Sequence, residues 1–466
     1  MIRPEVLRFA VKSLDSGIRH PVSGIRDHPL FHYSSTPTLP YSHTPILPYP
    51  HTPILPYSDT PSAAGGDTIK ILFLTQLCPY PPSSGSAIKT YNILKHLGAR
   101  HEVSLLTFLR RESEAPALSH LAQYCREIDF CMIKRSQARN LIQAASSLLT
   151  GKSFIVARDR HAHMQAKVLD FLKRGHDVIY VDHLQMYQFV PHPAPCPVLL
   201  DDHNVEWRII ERFSSSGTPL AQRLFASIEW RKLRRYELHA CRAADLVLTV
   251  TPQDRDILVS NGVSHEKVFP LPVGVDTEYF TPVRLTAEAR KVLTFGTMTW
   301  PPNADAVVHF SKAIYPLIKR KMPDIRFSLV GADPPPEVRA LAARDKSIEV
   351  AGYVDDIRAA AEDTAVFVVP LRIGSGMRVK ILDAMALGLP VVTTSIGCEG
   401  ISLRPGEHAL VADTPEDFAD AVLHLLGSRR ERMRLGSAGR SLVENLYSWG
   451  PILHQLDDIL SRLRGS

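Results

Sequence analysis

At 466 residues the chain is longer than one hydrophobic core usually supports, so two domains plus additional segments are expected. Apolar residues make up 45% and charged residues 22%, a balance that excludes a chain disordered or fibrous throughout. The formal charge of +6 suits an anionic ligand or an acidic membrane surface and leaves no nucleic-acid footprint, so no nucleic-acid partner is expected.

The six cysteines (Cys78, Cys125, Cys131, Cys196, Cys241 and Cys398) include no C-x-x-C pair. This argues against a disulfide framework or a zinc site and favours a reducing compartment. No run of about 18 apolar residues offers a membrane span. Prolines and histidines interrupt every apolar stretch near the N-terminus, so no signal peptide is read there, and a cytoplasmic location is expected.

Residues 1–67 read as a proline-rich repeat arm. An eight-residue unit recurs from Ser35 (STPTLPYS, HTPILPYP, HTPILPYS), and eleven of the 36 prolines precede Asp67. Such a segment cannot form a helix or a central strand, so it is expected to be extended and disordered. It is either a docking arm or a translated repeat upstream of the true start, and the second reading is preferred because folded patterning begins abruptly at Ile69.

The domain at 68–272 opens with the apolar run Ile69–Thr75, of the kind that forms a buried parallel strand. A loop leads through Gly85-Ser86 into a helix over 86–97, and strands are expected over 101–108, 128–133, 178–181, 198–200 and 246–250. Between two such series, PLPVGVDTEYFTP (270–282) reads as a hinge. A second series over 273–446 has strands at 292–296, 325–330, 347–350, 365–369 and 391–393, with helices from Asn303 and up to Leu387. The alternation implies α/β architecture with two doubly wound parallel sheets whose strand ends line a shared cleft. The segment 447–466 carries Trp449, Ile452, Leu453, Leu456, Ile459 and Leu460 at helical spacing, so it reads as an amphipathic helix crossing a domain surface.

The most informative stretch is PLRIGSGMRVKILDAMA (370–386). A strand runs into a glycine-rich loop, Gly374-Ser375-Gly376, and a helix is expected to begin near Met377. Glycines permit close backbone approach to a ligand, and a helix N-terminus favours anions. Arg378 and Lys380 stand where the helix dipole alone prefers acids, so an anion such as a pyrophosphate is expected between them. Asp383 lies further along the helix, positioned for ribose hydroxyls. No G-x-G-x-x-G follows the first strand, which argues against a nicotinamide dehydrogenase, and no G-x-x-x-x-G-K-[ST] occurs, which excludes a P-loop enzyme.

This stretch resembles the donor-site signature of retaining GT-B glycosyltransferases of family 4, in the subgroup that reads G-S-G-x-R-x-K. FGTMTWPPNADAV (295–307), with Gly296 and Asn303, and VGVDTEYFTP (273–282) resemble two further segments of the subgroup, which includes sugar transferases of exopolysaccharide loci. The resemblance implies the GT-B fold and transfer of a sugar from a nucleotide-diphosphate donor with retention of configuration. It also implies no cofactor and no metal. Asp201-Asp202 is adjacent rather than D-x-D and runs directly into His203. A saccharide or lipid-linked acceptor is implied, in exopolysaccharide or cell-envelope synthesis.

Residue by residue, Arg378 and Lys380 would neutralise the leaving diphosphate, and Asp383 matches the second of two family glutamates eight positions apart. The first falls on Ser375, which cannot replace a carboxylate. Gly352, Tyr353 and Val354 match the place where the backbone meets the nucleobase, and Glu399 faces the same cleft. Gly85 and Ser86 match a glycine loop near donor phosphate and acceptor. His203 matches the family's functional histidine, and His183 is the competing candidate, read as structural. The basic helix 221–243, with Arg231, Lys232, Arg234 and Arg235 beside Leu224, Phe225, Ile228 and Leu233, is expected to be solvated or to dock peripherally at the inner face of the membrane. A nucleotide-sugar 2-epimerase and a non-catalytic nucleotide-sugar-binding module are the alternatives.

Overall fold

The computed structural model describes residues 68–463 apart from 83, 134–136, 216–219, 287 and 375. The repeat arm and Ser375 therefore lie outside the described residues. The first seven strands are β1 (Lys70–Thr75), β2 (Glu102–Leu109), β3 (Glu127–Met132), β4 (Val178–Asp182), β5 (Val198–Asp202), β6 (Leu246–Thr249) and β7 (Val268–Pro270). They form one parallel sheet in the order β3-β2-β1-β4-β5-β6-β7. Strands β8 (Lys291–Phe295), β9 (Arg326–Val330), β10 (Ile348–Gly352), β11 (Thr364–Val369), β12 (Val391–Thr393) and β13 (Leu410–Val411) form a second, ordered β10-β9-β8-β11-β12-β13.

Both sheets match the expected doubly wound architecture. In each, the strand order reverses beside the first strand of the series, and that switch point is where ligands of open α/β sheets bind. Central strands such as β1, β4 and β11 are buried almost throughout because helices cover both faces. Two strands were not expected. Val268–Pro270, partly read as hinge, pairs with β6, and Leu410–Val411 closes the second sheet. The helix after the glycine loop begins at Val379 rather than near Met377, with Arg378 at its N-cap.

The final helix, Trp449–Arg462, leaves the second domain and packs on the first. Its Ile452, Leu456, Ile459 and Leu460 join the core formed by β1, β2 and the helix Gly85–Gly98. His96 Nε2 bonds to Asp457 at 2.8 Å, and Gln455 donates to the Pro270 carbonyl at 2.9 Å. The chain crosses between domains twice, at 271–282 and 446–449. The two crossings lie side by side, with Val275 N–H donating to the Tyr447 carbonyl at 2.7 Å. Arg440 brackets the first crossing by donating to the carbonyls of Thr277, Phe280 and Ala386.

The basic helix runs over Leu220–Ala243 and is more deeply engaged than expected: Phe225 and Leu233 are core, and only Leu224 and Ile228 of the apolar set are exposed. Two buried acids on this helix hold other helices. Glu229 accepts from Ser153 Oγ (2.5 Å) and Ile155 N–H (3.2 Å), and Glu237 accepts from Glu206 and Trp207 N–H (3.1 and 3.2 Å). Burial pushes Asp202 and Glu237 well above the usual carboxylate range, with the charge of Glu206 adding to the rise of Asp202 and the charges of Asp202 and Glu206 adding to that of Glu237. The folded pair thus keeps a proton that the unfolded chain releases, and its contribution to stability fades as pH climbs above the ordinary carboxylate range. Glu237→Gln is expected to flatten the decline in melting temperature between pH 6 and 9, and a slope equal to the parent's would remove the shared proton from the account.

Candidate active site between the two domains

The first wall is built at the switch point of the N-terminal sheet. Asp182, the last residue of β4, accepts from Thr75 Oγ1 (2.6 Å) at the end of β1 and from Thr90 Oγ1 (3.0 Å) in the facing helix. It also bonds to His183 Nδ1 and His203 Nε2, both at 2.8 Å. Neighbouring Asp201 pairs with the buried Lys89 ammonium (2.6 Å) and accepts from Tyr180 OH (2.8 Å). The parallel register of β4 and β5 sets Asp182 against Asp201, which places two Asp–His strand ends next to each other.

These contacts assign protonation. Burial would raise Asp182, but the two imidazoles hold its carboxyl well below the usual range. Burial opposes charge on His183, yet Asp182, Asp201 and Glu206 outweigh it and raise the imidazole. Burial and the charge on His183 lower His203. The cluster therefore favours charge on Asp182 and His183 and disfavours it on His203. With Nε2–H of His203 donating to Asp182, its Nδ1 is the unprotonated nitrogen.

His183 was read as structural, but its ring stacks on that of His203 at 4.0 Å and shares its carboxylate. Its φ of +75° is a strained conformation for a side-chain-bearing residue, of order 1–3 kcal/mol, of a kind that gathers at functional sites. Asp201 and Asp202 directly precede His203 in the chain. The close partner is Asp182, with Asp201 at 3.7 Å. Asp182, His183 and His203 have potential metal-ligand atoms within 4.8 Å of one another, and His183 Nδ1 and His203 Nε2 bond to Asp182.

The second wall lies at the switch point of the other sheet. Glycines stand at the C-terminal ends of adjacent strands: Gly352 ending β10, Gly331 after β9, Gly296 after β8 and Gly374 beyond β11. A β-carbon on Gly331, which was missed, would fall 2.0 Å from the Gly296 carbonyl oxygen. One on Gly374 would meet the Arg378 guanidinium at 2.2 Å, so only glycine lets that side chain fold back over the loop. Arg378 Nη1 then donates to the Gly376 carbonyl (2.7 Å), and the guanidinium stands 5.8 Å from the Trp300 ring centre.

Lys380 Nζ donates to Asn303 Oδ1 (2.7 Å), whose amide in turn donates to the Thr297 carbonyl (2.9 Å). Burial and the like charge of Arg378 push the Lys380 ammonium down to about 7. Burial brings Arg378 down to about 10, with Glu399 opposing and Arg212 adding to the shift. Asp383 is buried one turn beyond Lys380, Val354 packs on the domain core, and Tyr353 is half-buried beside it.

The walls meet. A β-carbon on Gly85 would stand 3.4 Å from Val379 Cγ2, and one on Gly376 would stand 3.0 Å from Asn204 Oδ1, next to His203. Ser84 caps the helix that Gly85 and Ser86 begin, accepting from Ala87 N–H at 3.3 Å. Ile88 and Val250 of the first domain and Val273 of the crossing segment pack with Met377 and Val379 of the second, and with Trp449. Glu399, expected to face the cleft, lies between the two domains and makes a two-pronged contact with Arg212 of the opposite one (2.6 and 3.2 Å). Thus Gly85, Ser86 and His203 are brought against Gly376–Lys380, and Asn303 joins them through Lys380.

Comparison with known proteins places this geometry. Residues 83–279 match the family model described as Glycosyltransferase Family 4, and residues 289–428 match that of Glycosyl transferases group 1. A 44.6 kDa protein of the cps region of Klebsiella pneumoniae is 19% identical over 76% of this chain and 90% of its own length. MMP alpha-(1->4)-mannosyltransferase of Mycolicibacterium hassiacum is 30% identical, but over 51% of this chain and 57% of its own length. The fold is shared with Anabaena HepE in complex with UDP (TM-score 0.62, 14% identity, 84% of this chain and 100% of that one). Sucrose-phosphate synthase of Thermosynechococcus elongatus shares it too (TM-score 0.60, 18% identity, 85% and 99%). The chain is thus a glycosyltransferase of the GT-B fold, with a family 4 domain in its first half and a group 1 domain in its second.

Proposed function

We propose that the protein transfers a hexosyl group from a nucleoside-diphosphate hexose to a saccharide or lipid-linked acceptor, with retention and without a metal ion. The observation that carries this reading is the pair Arg378 and Lys380, held beside a glycine-rich loop and facing the His203 wall. Their cost in the absence of an anion, expressed in the lowered Lys380, becomes affinity when a diphosphate arrives. HepE is seen with UDP and with UDP-glucose, and two relatives carry mannosyltransferase or mannosylfructose-phosphate synthase names, which supports a nucleotide-sugar donor.

In this reading the bond between the anomeric carbon and the diphosphate oxygen breaks as charge gathers on the diphosphate, where the two cations stabilise it. The acceptor hydroxyl attacks from the same face, and its proton passes to the departing phosphate oxygen. Neutral His203 contacts the sugar near the reacting carbon. Asp383 takes the ribose, the backbone at Gly352–Val354 receives the base, and Asn303 fixes Lys380.

Incubation of EDTA-treated protein with UDP, GDP and ADP hexoses and a lipid-linked saccharide tests the proposal. Transfer in the presence of EDTA supports it, and activity recovered only on adding magnesium would overturn the metal-free step. Lys380→Ala and Arg378→Ala are each expected to weaken diphosphate binding by about 1–3 kcal/mol, read by calorimetry. Unchanged affinity in both would displace the anion site. Because a bound diphosphate raises Lys380 from about 7, the parent should take up a proton on binding and lose affinity by up to about tenfold per pH unit above that value. A flat profile from pH 6.5 to 9 would contradict this. His203→Ala should slow transfer about tenfold or more at nearly constant nucleotide affinity, whereas normal turnover would remove the imidazole from the site.

A further inference from the structure

A separate cavity of about 900 Å³ lies in the N-terminal domain, a volume in the range of pockets that enclose small ligands. It is bounded by the helix Phe154–Ala157, the turn Leu184–Phe189 and the C-terminal half of the helix Leu220–Ala243, and no residue of the second domain lines it. Val156, Tyr187 and Phe189 supply an apolar floor.

The charge of the lining is one-sided. Lys152, Arg160, Lys232 and Arg235 contribute four cations, and no aspartate or glutamate is among the described lining residues. The nearby acid, Glu229, is turned away into Ser153 and the Ile155 N–H, and burial keeps its carboxyl above its usual range. Lys232 donates to the Ser147 carbonyl (2.6 Å). Lys152 and Arg235 are exposed, and among the described residues no carboxylate meets them.

An apolar path leads away from these cations. On the helix Leu220–Ala243, Leu224, Ile228, Lys232, Arg235 and His239 recur at spacings of three and four, so they share one stripe. Leu224 and Ile228 are 54% and 42% exposed, unlike the buried Phe225 and Leu233 of the same helix. At 1.5 Å per residue the stripe extends about 16 Å from Arg235 to Leu224, the length of a medium alkyl chain.

We infer that this cavity is a binding site for an anionic amphiphile, a phosphate head on an apolar chain. The head lies among Lys152 and Arg235, and the chain lies along the apolar floor and the Leu224–Ile228 stripe. The site shares no residue with the interdomain cleft, so it stands or falls apart from the donor assignment.

Isothermal titration of the full chain with monomeric dodecyl phosphate, inorganic phosphate and dodecyl maltoside tests it. Dodecyl phosphate is expected to bind at least about tenfold more tightly than either control, because head and chain each contribute. The double variant Lys152→Glu, Arg235→Glu should lose about tenfold in dodecyl phosphate affinity, and Leu224→Ser, Ile228→Ser should lose affinity for dodecyl phosphate but not for inorganic phosphate. All variants should keep the parent's response to nucleoside diphosphate, which reports an intact fold. Inorganic phosphate binding as tightly as dodecyl phosphate would reduce the site to a plain anion pocket and overturn the inference. Dodecyl maltoside binding equally well, or dodecyl phosphate binding unchanged in the charge-reversed variant, would overturn it too.

Discussion

The interdomain site depends on two cations placed side by side where carboxylates would be the cheaper neighbours. Arg378 and Lys380 sit at the start of one short helix, where the dipole already opposes them, and the nearest polar partner of Lys380 is a neutral amide. A structure tolerates such an arrangement only if the surroundings fix it. Gly374 does so by leaving room for the folded-back guanidinium, Asn303 by anchoring the ammonium, and the apolar contacts of Met377 and Val379 by holding the loop against the other domain. Gly331 and Gly296 belong to the same arrangement: a β-carbon on the first would fall on the Gly296 carbonyl, and one on the second would stand 3.0 Å from the Asn303 amide and 3.3 Å from Lys380 Nζ.

The opposite wall solves a different problem. Asp182 and Asp201 are taken out of water at the ends of adjacent strands, and each is compensated by charge or by several donors. Because two histidines share Asp182, only one of them can be charged without repulsion across the stacked rings. The network thereby differentiates two chemically identical side chains: charge is favoured on His183 and disfavoured on His203. Tightening Asp182 with Thr75 and Thr90 makes that assignment stable, since the carboxylate has no freedom to turn toward one ring and abandon the other.

How much of this was legible in the sequence follows from the range of each interaction. Buried strands such as Lys70–Thr75 and Thr364–Val369 announce themselves as continuous apolar runs, and the loop 374–376 carries its glycines in series. The edge strands Val268–Pro270 and Leu410–Val411 are too short for any periodicity to register. The role of His183 was hidden because it depends on β4 and β5 being neighbours in register, which no local pattern states. The repeated Asp–His pair at 182–183 and 202–203 was the available signal. Lys89 and Asp201 are likewise 112 positions apart and meet only through the fold. The contact of Glu399 with Arg212 was hidden for the same reason, since Arg212 belongs to the other domain. On the basic helix, spacing alone made Phe225 and Leu233 equal to Leu224 and Ile228, and only packing separates core from surface.

The return of the last helix to the first domain changes what the second domain is. Topologically it is an insertion: chain enters it through 271–282 and leaves at 446–449, and the two passages are hydrogen-bonded to each other. During synthesis the inserted unit has its whole sequence available before Ile452, Leu456 and Ile459 exist to cover the helix Gly85–Gly98. The domain made first is therefore completed last, since the core beside the helix Gly85–Gly98 stays uncovered until the helix Trp449–Arg462 has been supplied.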